Sequence, residues 1–399
     1  MKSPRTAKTI PVHIALFYCG FRPFFFGGAT YAVMVTLAWA AAFAWPGQAF
    51  IPGGGSVLWH SQEMIWGFAM AALCGFLLTA VPTFTQSTPV QGAPLALLFS
   101  LWCAGRLTAL GSPAPLQLLN AVCDLATLAG LLFFIGRPLW RSAEHRSLGW
   151  ALLALLCVSA GYQLSRFIGG DPAAWMRLAL VLFFVFIVLA ARRIGMRIVN
   201  QTLVKQGIDD RVFMPRPPHT RIAVACLLLH GMAEFAGLRA PVTAWLALAA
   251  GAAVFNLTND WHIGRVLLRR WVALFYIVLW MLGLGYAVMG FAVLAEASPS
   301  WVNGGRHLAA IGAIGLATLA VFSIAGRAHA GYETDERPWV LFAAGLILFA
   351  AAARLVYAMN FHWYWAAASA LAWAGAFALY LKYFYRVLTG PRPDGGTGC

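Results

Sequence analysis

Apolar runs of about 20 residues, each long enough to cross a bilayer, recur about twelve times along this chain of 399 residues. They lie at roughly 24–45, 57–81, 94–111, 115–136, 148–167, 174–191, 219–238, 241–259, 272–294, 306–326, 338–358 and 363–385. The hydrocarbon region offers no water, so each segment must satisfy its own backbone N–H and C=O groups, and a helix does so. The fold class read from this pattern is all-α, a polytopic transmembrane helix bundle of about twelve spans. Composition agrees: 61% of residues are hydrophobic and 10% charged, against about 25% charged in a soluble domain. A mean hydropathy of +0.75 excludes an ordinary soluble enzyme.

The net charge of +15 invites a nucleic-acid reading, but the distribution of charge argues for topology instead. With the N-terminus inside, 22 of the 28 Lys and Arg fall on the cytoplasmic side. This is the positive-inside bias, and it places both termini in the cytoplasm with no nucleic-acid partner. Residues 1–399 read as one integral membrane domain: six spans over about 24–191, a Pro- and charge-rich linker over about 192–218, and six spans over about 219–385. The two halves show no internal repeat. The basic start, Met1 to Ile10, is not followed by a short apolar stretch with a cleavage site, so no cleavable signal is expected. None of the seven cysteines forms a Cys-x-x-Cys pair, and no disulfide framework, iron–sulfur site or zinc site is expected.

Against this apolar background the nine histidines stand out. An imidazole in a bilayer is costly unless it is bonded or bound to metal, which makes a set of them a functional hypothesis. Topology sorts them by depth. Toward the outer face lie His60, His230, His307 and His362; toward the cytoplasm lie His13, His219, His262 and His329. His145 sits in a charged loop and reads as solvated. His307 and His329 are about 33 Å apart on one helix, at 1.5 Å per residue, so they belong to two separate tiers of ligands.

His60 and Glu63 are three residues apart on one broad helix face. Together they read either as a ligand with a proton-donating acid or as interfacial residues bonded to a loop. His307 precedes Gly312 and Gly315, a smooth surface for a flat group or for another helix. Arg306, Arg106 and Arg354 lie at the same outer level and either snorkel or hold carboxylates of a bound group. His230 and Glu234, four apart within a span, read as a proton or metal site or as a mutually bonded pair. His262 ends a helix, where the dipole favours a plain protonated His as much as a ligand.

Several blocks together resemble the NnrS family. They are Gly20-Phe21-Arg22-Pro23-Phe24-Phe25, Trp59-His60-Ser61-Gln62-Glu63-Met64, Gly75 to Pro82, Leu101 to Arg106, His307 to Gly315, Ala328-His329-Ala330-Gly331 and Pro391 to Gly395. The resemblance runs nearly end to end. It implies a multi-pass protein of the bacterial inner membrane that carries haem b (one or two groups) and copper, with a role in nitric oxide metabolism, denitrification or nitrosative-stress defence. Carried over by position, His60, His307, His329 and His262 are the metal-binding candidates and Glu63 is the catalytic proton relay. His230 and His13 are further cofactor-binding candidates, and Arg306, Arg106 and Arg354 are placed to hold propionates. Two departures bear on copper more than on haem. The family's second His in Trp-His-x-His-Glu-Met is Gln62 here, and Gly283 stands where the family has a His before Leu-Gly-Tyr.

The resemblance implies a protein that binds nitric oxide. If it is an enzyme, it is a nitric oxide reductase-like haem oxidoreductase that needs an unidentified electron donor. A transporter of a metal or small anion is the alternative, as is a non-enzymatic regulatory membrane protein.

Overall fold

The computed structural model describes residues 15–45, 56–111, 113–208, 210–396 and 399. Among them there are twelve helices and no strand. We number them α1 (Phe21–Ala44), α2 (Val57–Thr85), α3 (Ala93–Thr108), α4 (Ala114–Arg141), α5 (Arg146–Ile168), α6 (Pro172–Lys205), α7 (Pro217–Phe235), α8 (Ala240–Thr258), α9 (Arg270–Leu294), α10 (Pro299–His329), α11 (Trp339–Asn360) and α12 (Trp363–Thr389). Ten are long and apolar enough to cross a membrane, not the twelve expected. The two that fall short are α3 and α7. With 16 residues, α3 reaches about 24 Å at 1.5 Å per residue, against about 30 Å of hydrocarbon. The other, α7, carries His219, Arg221, His230 and Glu234 within its 19 residues.

Helix starts follow local chemistry. Proline occupies the first turn of α3, α4, α6, α7, α8 and α10, where its missing N–H leaves nothing unsatisfied. Ser56 caps α2 by accepting from the Trp59 amide at 3.1 Å, and Asp171 caps α6 through the Ala173 amide at 2.9 Å. No proline interrupts residues 192–205, and α6 runs on through Arg192, Arg193 and Arg197 as far as Lys205. The segment expected to begin the linker is therefore helical. Beyond it, Asn200 folds the connection back: its side-chain oxygen accepts from the Phe213 amide at 2.7 Å, and its side-chain NH2 donates to the Phe213 carbonyl at 3.1 Å.

Each helix packs on the next, and α12 returns to pack along α1, closing the arrangement. Arg22 reinforces that closure: its guanidinium donates to the carbonyls of Leu388 at 3.0 Å and Gly390 at 2.6 Å, the free end of α12. A disulfide joins Cys19, just ahead of α1, to Cys399. The sequence carried no spacing signal for this pair, and the reading of the cysteines as unpaired is corrected there.

The helices α2, α6 and α10 meet in the middle of the bundle. The apolar stretch of α2 is 83% buried, more than that of any other helix that qualifies as a span. Both α2 and α10 contain a π-helical turn, at Glu63–Ala69 and Ala310–Ile314. Such turns insert one residue into the helical ladder and are frequent at functional sites.

Close approach of α9 and α10 depends on two glycines. A Cβ on Gly285 would lie 2.6 Å from the Gly305 carbonyl oxygen, and one on Gly305 would lie 2.7 Å from that of Gly285. Small residues at such a crossing let backbones touch, the packing that replaces hydrophobic driving force in lipid. Gly305→Val is expected to destabilise the protein by about 1–3 kcal/mol through overpacking. Gly345→Ala, where an added methyl meets nothing within 4 Å, should leave thermal unfolding in detergent unchanged or slightly improved. Equal melting temperatures for the two variants would contradict this packing.

Candidate functional site

At one end of the bundle α1, α2, α6, α10, α11 and α12 line a cavity of about 110 Å³. His60 from α2, His307 from α10 and Arg354 from α11 line it together with aromatic walls that include Trp39 and Trp373. Two histidines far apart in sequence thus face one space. Each lies three residues ahead of its helix's π-helical turn, and these turns supply further wall residues, among them Phe68 and Ile311.

The two imidazoles are held differently. His307 Nδ1 lies 2.9 Å from the Asn303 carbonyl. A carbonyl only accepts, so Nδ1 carries the proton in the neutral ring and Nε2 keeps its lone pair. His60 stacks on Trp39, with ring centroids 4.3 Å apart and planes 15° from parallel. Its Nδ1 is buried with no hydrogen-bond partner among the described residues. Arg354 sits over the Tyr357 ring at 4.9 Å and donates to the Asn303 side chain at 3.4 Å. Asn303 therefore braces both His307 and Arg354.

This donor set suits a macrocycle-held metal better than a bare ion. A haem needs only one or two axial ligands from the protein, whereas structural and catalytic ions take three or four. Among the described residues no three His, Cys, Asp or Glu side chains converge to hold a metal ion. An orphaned imidazole nitrogen, a second imidazole with an available lone pair and a single guanidinium are the donor types that would hold a haem iron and one haem carboxylate.

Glu63 is not in that cavity. Three helical positions are about 60° apart around the axis, and at a packed interface this separates His60 and Glu63 into neighbouring grooves. Glu63 is fully buried. Its carboxylate takes Arg106 of α3 at 2.8 Å, Gln62 at 3.2 Å and the hydroxyl of Tyr31. Arg106 also pairs with Asp124 of α4. Gln62 bridges onward, donating to Asn120 at 2.9 Å and accepting from Tyr162 at 2.7 Å. Within the π-helical turn, the Gly67 carbonyl accepts from Trp102 at 3.0 Å, and a Cβ on Gly67 would lie 2.5 Å from the Tyr31 ring.

The expectation that Arg106 holds a ligand carboxylate is thereby overturned, since two protein carboxylates already occupy it. Sequence reasoning passed over Asp124 and Asn120, although one turn of α4 carrying an Asp and an Asn among apolar residues was itself a signal.

The other candidates are dispersed. Arg306 pairs with Glu234 of α7 and does not line the cavity. His230 is buried edge-on to Tyr286, 5.2 Å between ring centroids, and is not bonded to Glu234. His262 is exposed in the turn after α8. His329 lines a second, wider cavity of about 850 Å³ at the opposite end of α10, with Arg193, Arg197 and Lys205. His13 lies outside the described residues. Gly312 and Gly315 back onto Met281 and Trp373, so they serve helix packing and not a flat group.

His145, read as solvated, is buried. Its Nε2 accepts from Arg193 at 2.5 Å and its Nδ1 contacts Ser142 at 2.6 Å. Burial, then the Arg193 charge, hold its pKa below the usual His value, and the ring stays neutral.

The buried charges make a testable demand. Arg106→Gln leaves Glu63 and Asp124 uncompensated and should cost about 3–5 kcal/mol, read as a loss of folded yield or a large drop in melting temperature. A variant as stable as the parent would show that the network is solvated and not buried. Searched against curated proteins, the chain gives no match. The family model described as NnrS protein matches residues 15–392, a stretch that includes every element from α1 to α12. Over nearly its whole length, this chain belongs to the NnrS family.

Proposed function

We propose that the chain is a haem-binding membrane protein whose outer-tier cavity binds nitric oxide. The observation that carries this reading is the pairing of His60 and His307 on one apolar cavity, each with a ring nitrogen uncommitted to the protein. A bound haem would supply an iron centre able to take a diatomic ligand. The residues' roles follow from their surroundings. His60 and His307 are the residues that would hold the iron; Asn303 fixes the tautomer of His307, and Trp39 fixes the ring plane of His60. Arg354 is the cation available to a propionate. The aliphatic and aromatic walls keep water out and admit an uncharged gas.

Glu63 acts in this scheme as a positioning residue. Its bonds to α1 and α3 lock the turn of α2 that presents His60. Nitric oxide reduction consumes protons and electrons, and no carboxylate lines the cavity among the described residues. Binding is therefore the function we assign first, with reduction as its extension if a donor docks. Gln62 does not weaken the assignment. Position 62 is bonded toward α4 and α5, so the family's second His would have entered the polar network and not this cavity.

Protein purified in detergent should show a Soret band that moves on reduction and again on addition of nitric oxide. His60→Ala and His307→Ala should each remove or shift that band, while the exposed His362→Ala leaves it unchanged. Band positions untouched in both cavity variants would sink the assignment. Arg354→Gln should loosen haem roughly tenfold or more, the loss of one charge-assisted contact of about 1.5–3 kcal/mol, measured as transfer of haem to an apo-globin acceptor.

A further inference from the structure

Between the His60–His307 cavity and the His329 cavity lies a third space of about 80 Å³, walled by α2, α6, α9 and α10. Ala69 and Ile314 are common walls of this space and the first cavity; Phe76 and Val321 are common walls of this space and the second. The three central helices each line all three cavities. On α10 the wall positions are 307, 310, 311, 314, 317, 318, 321, 322, 324, 325, 328 and 329, a broad helical stripe facing inward along the helix. The stripe is too long to be the edge of one pocket. It is one face of a seam that runs the length of the bundle.

The middle space is almost wholly apolar. Its lining is alanine, leucine, isoleucine, valine and phenylalanine, and Thr318 is its one polar side chain. A buried water needs two to four polar partners, and cavities without them stay dry and take up apolar solutes such as xenon. A single hydroxyl cannot hold a water file, so the seam carries neither protons nor ions through its middle. What it accommodates is a small uncharged molecule.

We propose that the middle cavity is a binding site for a small apolar gas of diatomic size, and that the seam of α2, α6 and α10 delivers such a molecule to the histidine cavity from the His329 end. The delivery part rests on the reading of the histidine cavity as the gas-binding centre; the site itself does not.

The test uses the full-length protein as purified. Crystals pressurised with xenon should show an anomalous peak bounded by Ala69, Phe76, Ala317 and Val321. Ala317→Phe should abolish the peak, with Ala72→Leu as the milder replacement if the first variant does not fold. Either variant should slow nitric oxide association with the chromophore by on the order of tenfold, because the added side chain fills the middle of the seam, without shifting the Soret band. The absence of a xenon peak in the parent protein overturns the site, and an unchanged association rate in a variant that has lost xenon overturns delivery. If the protein carries no chromophore but binds xenon in the middle cavity, the haem reading fails and the gas site stands.

Discussion

A guanidinium buried between two carboxylates organises one side of this molecule. Arg106 reaches from the short helix α3 to Glu63 on α2 and Asp124 on α4, and an unpaired charge at any of the three positions would be prohibitively costly away from water. The pairing pins three helices at one level, and the amides of Gln62 and Asn120 extend it to α5 through Tyr162. It also explains why α3 can be short: its anchor is electrostatic as well as apolar. Since α2 is held from one side by these charges, its opposite side is free to present His60 and a nearly continuous apolar wall to the centre.

That division of labour between two sides of α2 gives the bundle its internal logic. One groove is crowded with the hydrogen bonds of Glu63, Arg106 and Asp124. The other is lined by small and aromatic side chains and holds three cavities in succession that share wall residues. The π-helical turn at Glu63–Ala69 sits where the two meet, and the bond from Trp102 to the Gly67 carbonyl helps satisfy the disturbed ladder. A matching turn in α10 places His307 opposite. The site is thus built from irregularities in two central helices, each supported by packing on its far side.

Much of this was legible in the amino-acid sequence, and the part that was not has a common physical reason. Apolar runs reported helix number and approximate ends, because length and hydropathy are local properties. Depth was also legible: His60, His307 and Arg354 were placed at one level, and they do share a cavity. Azimuth was not. Whether a side chain at a given level turns into a cavity or into a neighbouring helix depends on how each helix is rotated by its packing. Glu63, Arg106 and Arg306 were therefore placed at the right level and in the wrong company, and Gly312 and Gly315 turned out to face helices. His145 was missed for a related reason: its burial is created by Arg193, which arrives on an α6 longer than its apolar run indicated.

The clasp between Arg22 and the end of α12 has a consequence for how the chain is made. Of the described helices, the first to be synthesised, α1, packs along the last, α12, and the other ten are produced between them. Domains assembled in synthesis order can finish early parts first, but here α1 must wait in the membrane with an unfilled flank until α12 is made. Its buried Arg22 has no carbonyl acceptors at that stage. The nascent chain therefore exposes a polar, unfinished surface for most of its assembly, a surface suited to temporary shielding by the insertion machinery, and ring closure is the step that retires it.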